Sequence, residues 1–289
     1  MSGQSLAGKT VVITGPTNGV GRATAIELGA RGARMLLLCR SAEKGAALVA
    51  DIAARGGNAE VVAVDLASLQ SVAEAAGRVR ELAPQFDVLI NNAGVINNAR
   101  RESRDGLEEM FAVNHLAHFL LTARLLPALR AAASARIVHV SSGGHALVKG
   151  FDCDDYGWTQ RSYRTFPAYG HSKLANLLFN RSLARRLAGS TVTTNALHPG
   201  AVATNLGANN GLLGRIVLPL VRPFMLTPEQ GAQTSIFLAT DPSVAGRSGD
   251  YYVKCKKTAP KPWAEDDAVA ERLWSLSVQL LNERGLASF

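Results

Sequence analysis

The chain has 289 residues, 47% hydrophobic and 19% charged, the balance of an ordinary globular protein with a sizeable core. Its 31 Lys and Arg against 23 Asp and Glu give a net charge of +8, but the densest basic runs, KCKK at 254–257 and the pairs Arg100/Arg101 and Arg185/Arg186, lack interleaved aromatics. A solvated face, and no nucleic-acid partner, is the expectation. Cys39, Cys153 and Cys255 fit neither a disulfide framework nor a zinc ribbon, and His115 and His118 have no second ligand cluster in register, so no metal is expected. MSGQSLAGK carries no apolar leader core, which points to a cytoplasmic protein without an N-terminal anchor.

Short apolar runs alternate with helical patterns along the chain. The first strand, Thr10–Thr14, runs into TGPTNGVGRATA, with glycines at 15, 19 and 21 where strand turns to helix. Such a turn lets backbone approach a pyrophosphate at a helix N-terminus, although the spacing is not G-x-G-x-x-G. The second strand, Arg34–Cys39, ends at Arg40, where an acid would bind the ribose 2′-hydroxyl of NAD. A guanidinium there suits a 2′-phosphate and favours NADP(H), with Glu43 a complication three residues on. The third strand, Glu60–Val64, leads to Asp65 in VDLAS, and the fourth, Val88–Ile90, to NNAG at 91–94, whose small residues let a ligand pass close. LEEMFAVNHLAHFLLTARLLPALR reads as one helix, followed by a strand at Arg136–Val140 and the pair Ser141/Ser142.

AYGHSKLAN then opens an Ala- and Leu-rich helix, placing Tyr169 and Lys173 four positions apart on one face. A strand at Val192–Leu197 precedes GLLGRIVLPLVRPFML, residues 211–226, which is too short and too charged to span a bilayer. It reads as a hydrophobic lid over an apolar substrate, with plain packing and shallow membrane contact as the other readings. TPEQ at 227–230 is a capping box with Pro228 at the first helical position, before a last strand at Asp250–Val253. PWAEDDAVAERLWSLSVQLLNE reads as a terminal amphipathic helix over about 263–283, with Leu273, Leu276 and Leu280 on one side. The repeat of strand and helix predicts a single α/β domain, a doubly wound, Rossmann-like parallel sheet of seven strands with helices on both faces. Its cofactor half covers about 8–145 and a substrate loop about 201–226.

With TGxxxGxG at 14–21, NNAG at 91–94, Asn114, Ser142, YGHSK at 169–173 and Pro199-Gly200 in order, the chain resembles the short-chain dehydrogenase/reductase family over almost its whole length. VNHLAHFLLT, YGHSKLANLLF, VTTNALHPGAV and ERLWSLS resemble its retinol dehydrogenase and WW-domain oxidoreductase branch, which favours NADP and lipophilic substrates. The resemblance implies a catalytic set of Asn114, Ser142, Tyr169 and Lys173. It implies a cofactor site of Gly15, Thr17, Asn18, Gly19, Val20, Gly21, Arg40, Asp65, Leu66, Asn92, Ala93, Gly94, Tyr169, Lys173, Pro199, Gly200, Val202 and Thr204.

The chemistry of the set is physical. A carbonyl accepting hydride develops alkoxide charge and needs a proton donor, and a phenol of pKa ~10 serves at neutral pH only if positive charge, here Lys173, lowers that value. By the resemblance Lys173 also holds the nicotinamide ribose, Asn114 positions a relay water, and Ser142, not Ser141, donates to the substrate oxygen, a contribution of about 2.7–4 kcal/mol if as large as known oxyanion donors.

Residues 143–168 form an insertion that leaves open a dimer or tetramer against a monomer, and that walls the pocket in the other reading. Its Tyr156 and Tyr163 have no lysine four residues later. The expected function is an NADP(H)-dependent oxidoreductase acting on a small lipophilic aldehyde, ketone or alcohol. A non-catalytic nucleotide sensor or scaffold on the same fold is the alternative.

Overall fold

The computed structural model describes residues 5–202, 225–286 and 289. Eight strands form one sheet in the order β3-β2-β1-β4-β5-β6-β7-β8. They are β1 (Thr10–Thr14), β2 (Arg34–Cys39), β3 (Asn58–Ala63), β4 (Val88–Asn91), β5 (Ala135–Val140), β6 (Val192–His198), β7 (Tyr251–Val253) and β8 (Lys256–Lys257). All pair in parallel except β7 with β8. The helices are α1 (Gly19–Ala30), α2 (Ala42–Ala53), α3 (Leu69–Leu82), α4 (Glu109–Phe111), α5 (Ala117–Arg130), α6 (Thr165–Arg186), α7 (Pro228–Thr240) and α8 (Asp267–Asn282).

Side-chain alternation along the strands sorts these helices onto two faces. Val12, Leu36, Leu38, Leu89 and Ile137 point to a core filled by α3, α5, α6 and α8. Their neighbours Val11, Ile13, Met35, Leu37, Ile90 and Val138 point the other way, to α1, α2 and α7. Both faces of the sheet are covered at its centre, so β1, β2 and β4 are apolar runs that carry no polar face.

Four boundaries differ from the sequence reading. β3 begins at Asn58, because pairing of Arg34 with Asn58 and Met35 with Ala59 draws a polar, partly exposed segment into the edge of the sheet. β8 is an eighth strand hidden in KCKK: Lys254 and Cys255 take φ of 50° and 61° and close a two-residue hairpin that usually calls for Asn-Gly. The helix expected through Asn114 is interrupted by a π turn at Ala112–Leu116 before α5 continues. At the far end Pro262–Ala264 is a 3-10 turn, and α8 starts only where the Asp266 carboxylate caps it by accepting from the Val269 amide. The capping box at Thr227 and Gln230 forms in full.

α8 lies along α6, with Leu273, Trp274, Leu280 and Leu281 in the core cluster that holds Phe179 and Leu183. Arg181, Arg185 and Arg186 of α6 pair with Asp267 and Glu271 of α8, and the Arg186 guanidinium sits 3.8 Å over the Trp274 ring. The insertion closes over the start of the same helix: Phe151 stacks on His171 at 4.5 Å, and Trp158 meets it edge-on. Among the described residues no helix is long and apolar enough to cross a membrane.

Candidate active site

The strand order reverses between β1 and β4, and in open α/β sheets the crevice at the carboxyl ends of the strands there is where ligands bind. A cavity of about 450 Å³ opens at that point. Its walls come from the β1 turn (Gly15, Thr17, Asn18, Gly19, Val20, Gly21), the β4 turn (Asn92, Ala93, Gly94), the end of β5 (Val140, Ser141, Ser142), α6 (Tyr169, Lys173) and the segment after β6 (Pro199, Gly200, Ala201, Val202), with Met225 opposite.

The glycine turn is held against the β4 turn at close range. Gly15 and Gly19 have φ of 62° and 52°, which side-chain-bearing residues rarely adopt. A Cβ on Gly21 would lie 2.3 Å from the Gly15 carbonyl oxygen and 2.4 Å from Asn92 Nδ2. That amide is fixed, donating to the Thr14 and Gly15 carbonyls at 2.8 and 3.1 Å. α1 begins at Asn18 without a side-chain cap and without an acid in its first turn, so its leading N–H groups face the cavity end of the helix free of protein carboxylates.

The four residues of the catalytic set are close in space but differently placed. Ser142 Oγ accepts from the Gly144 amide at 3.0 Å, and its hydroxyl favours the ionised form of the Tyr169 phenol, as a hydrogen bond donated to that oxygen does. Ser141 Oγ instead donates to the Lys173 carbonyl at 2.8 Å and is committed to holding α6 against β5. Lys173 is buried, its Nζ donating to the Val140 carbonyl at 3.0 Å and lying 5.9 Å from the centre of the Tyr169 ring. Burial pulls the Lys173 ammonium down from 10.5 to about 8. The Tyr169 phenol is pushed up by burial, opposed by the Ser142 hydrogen bond. The direction is opposite to the lowering expected from Lys173, whose ammonium is turned toward the Val140 carbonyl.

Asn114 is fully buried behind the cavity and does not line it. Its Oδ1 accepts from the Val95 amide at 2.7 Å, and its Nδ2 donates to the Val95 carbonyl at 3.0 Å and to Ser172 Oγ at 2.9 Å. These bonds take both Nδ2 protons and one Oδ1 lone pair and leave the second lone pair open, while the backbone carbonyl of Asn114 meets His118 Nδ1 at 3.1 Å.

Arg40 and Asp65 are not part of this cavity. They line a second one of about 380 Å³ at the ends of β2 and β3, with Val62, Ser71, Glu74 and Arg78. The Asp65 carboxylate accepts from the Ala67 amide at 3.1 Å and pairs with Arg104 at 3.2 Å. Leu66 packs, half-buried, on the core, and Thr204 lies outside the described residues, as does most of the 211–226 segment.

Val140, Ser141, Ala201 and Met225 join the walls without a sequence signal beyond adjacency. An apolar cluster of Val95, Ile96, Met110, Trp158, Tyr163 and Ala168 sets the insertion beside the Tyr169 ring. Tyr163 donates its phenol proton to the buried Glu108 at 3.2 Å, and burial together with that carboxylate pushes its pKa upward. Tyr156 packs on the Phe111 ring at 5.0 Å, and neither phenol lines the cavity. Among the described residues no three His, Cys, Asp or Glu side chains converge as metal ligands.

Human retinol dehydrogenase 13 is 44% identical over 284 residues, 96% of this chain and 86% of the relative. A solved Mycobacterium paratuberculosis protein shares 35% identity and a TM-score of 0.80 over 97% of this chain and 96% of its own. A Beutenbergia cavernae structure described as an NAD(P)-dependent gluconate 5-dehydrogenase with bound NADP shares 30% identity and a TM-score of 0.71, covering 91% and 99%. The short chain dehydrogenase family model matches residues 9–211, and with that match and these likenesses to the whole sheet and its site, the chain belongs to the short-chain dehydrogenase family.

Proposed function

We infer that the protein is an NADP(H)-dependent oxidoreductase that interconverts a lipophilic aldehyde or ketone with its alcohol, Tyr169 passing the proton. The observation that carries this reading is the single cavity in which Ser142, Tyr169 and Lys173 face the glycine turn. The residues fit a dinucleotide: glycine at 21 lets the two turns that wall the cavity close on each other, and the start of α1 offers uncapped N–H groups to a pyrophosphate. Arg40, exposed at the edge of the second cavity, is assigned to the adenosine 2′-phosphate, Asp65 and Leu66 to the adenine side, and Pro199, Gly200, Val202 and Thr204 to the nicotinamide side.

When bound, the nicotinamide supplies the hydride. Tyr169 gives its phenol proton to the substrate oxygen, and Ser142, whose proton no backbone group takes, turns to donate to the same oxygen. Lys173 keeps a positive charge beside the phenol below pH about 8. The apolar cluster beside Tyr169 supports an apolar substrate, and the likeness to human retinol dehydrogenase 13 favours one of retinoid size.

Titration by fluorescence quenching tests the cofactor assignment. NADPH binds at least tenfold more tightly than NADH, about 1.4 kcal/mol, and Arg40→Ala removes most of that margin by weakening NADPH alone. Equal affinity for the two cofactors in the parent protein refutes the role given to Arg40.

The pH dependence follows from the two shifts. Tyr169 is raised and stays protonated through neutral pH, while Lys173 is lowered to about 8, charged below that value and neutral above it. Carbonyl reduction is therefore level at neutral pH and declines as pH rises through about 8. A profile of kcat/KM that is flat through that value contradicts the assignment.

A further inference from the structure

We propose that His118 is a positioning residue that, held in one tautomer, ties the Thr14, Asn92 and Ala93 turn to the backbone carbonyl of Asn114. The proposal rests on the function inferred above and adds a residue to it. Hydrogen-bond counting assigns the tautomer. Thr14 Oγ1, fully buried, accepts the amides of Asn92 at 3.0 Å and Ala93 at 3.1 Å, which uses both its lone pairs. Its single proton then goes to His118 Nε2 at 3.0 Å. With Nε2 an acceptor, the ring proton is on Nδ1, which donates to the Asn114 carbonyl at 3.1 Å. His118 is itself buried, and desolvation together with the Lys173 charge keeps it neutral, with a pKa of about 4.

The chain of bonds continues beyond Asn114. Asn114 Nδ2 donates to Ser172 Oγ, and Ser172 Oγ donates to the Tyr169 carbonyl at 2.8 Å. One buried line of polar groups therefore runs from the amides under the cofactor cradle to the backbone of the catalytic helix, with His118 as its only ring. Gly94 lies between the two ends, where an added Cβ would be 3.2 Å from Lys173 Nζ and 3.4 Å from Asn114 Oδ1. The π turn at Ala112–Leu116 sits at the centre of this line, and such irregular turns concentrate at functional sites. His115, one turn earlier, takes no part: its Nε2 pairs with Ser277 on α8, and its Nδ1 has no partner among the described residues.

Two variants separate the halves of the bridge. Asn places a polar group near the position of Nδ1, and Gln near that of Nε2. His118→Gln keeps the contact to Thr14 and is expected to bind NADPH like the parent while kcat falls about tenfold. His118→Asn keeps the contact to Asn114 and is expected to hold kcat near the parent value while the NADPH Kd rises about fivefold. In the unaltered protein, ¹⁵N NMR of the histidine rings, with His118 identified by its loss in His118→Asn, is expected to show a neutral Nδ1–H ring at pH 7. An Nε2–H tautomer overturns the proposal. So does a parallel change of Kd and kcat in both variants that follows their loss of Tm, the mark of a merely structural histidine. If neither variant folds, the tautomer in the unaltered protein decides alone. Absence of carbonyl turnover in the parent refutes the oxidoreductase reading instead, and the tautomer and NADPH titration still decide the role of His118.

Discussion

Tyr169→Phe loses carbonyl turnover by about 10²–10⁴-fold and still binds NADPH with nearly the parent Kd. The substitution deletes one oxygen from a half-buried ring and leaves its packing against the cluster of Met110, Trp158 and Ala168 in place. Among the described residues the phenol's hydrogen-bond partner is Ser142, whose Oγ keeps the Gly144 amide. What disappears is the proton source, so the loss falls on kcat. Stopped-flow turnover and a fluorescence titration on the same preparation separate the two quantities. Turnover within a few fold of the parent removes Tyr169 from the proposed chemistry, and a large rise in Kd makes it a binding residue.

Gly21→Ala is expected to damage cofactor binding and stability together. The new methyl would stand 2.3 Å from a backbone carbonyl and 2.4 Å from an amide that two hydrogen bonds hold in place, so neither neighbour yields cheaply. Overpacking of this kind costs about 1–3 kcal/mol, and here the displaced groups are the floor of the cradle. The NADPH Kd rises at least tenfold, about 1.4 kcal/mol, and the urea midpoint falls. Gly77→Ala is the control. Gly77 lies within α3 with nothing inside 4 Å of the added carbon, and the change stabilises by up to about 1 kcal/mol through helix propensity. A Gly21→Ala protein with the parent Kd and midpoint contradicts the tight contact between the two turns.

The fold was readable because β1, β2 and β4 are buried on both faces and appear as apolar runs between helical periods, with β5 and β6 shorter apolar stretches broken by His139 and by Thr193–Asn195. Where pairing partners set an element's extent, the single sequence was silent. Asn58 and Ala59 join β3 only because Arg34 and Met35 lie beside them, and β8 follows a hairpin whose two positive-φ residues are Lys and Cys. The positions of the glycine turn, NNAG, Ser142, Tyr169 and Lys173 around one cavity follow from strand ends, which local pattern marks well. Burial was harder to read. It puts Asn114 behind the cavity wall with both amide protons committed to Val95 and Ser172, and it reverses the direction expected for the Tyr169 phenol. Arg40 lines a separate cavity with Asp65, although the end of β2 is bonded directly to the glycine turn through the Gly15 amide and the Leu38 carbonyl. Thr14 opens the TGxxxGxG motif and His118 stands in the sequence only as a candidate metal ligand, since the bond between them needs partners that only the fold supplies.

The clasp between α6 and α8 bears on how this molecule is made. Arg181 and Asp267 are 86 positions apart, so a nascent chain completes the helix bearing Tyr169 and Lys173 long before its cover is synthesised. At about 5–20 residues per second, that interval is several seconds. During it the flank holding Phe179 and Leu183 is bare and invites the attention of a chaperone until Trp274 and Leu281 arrive to close it.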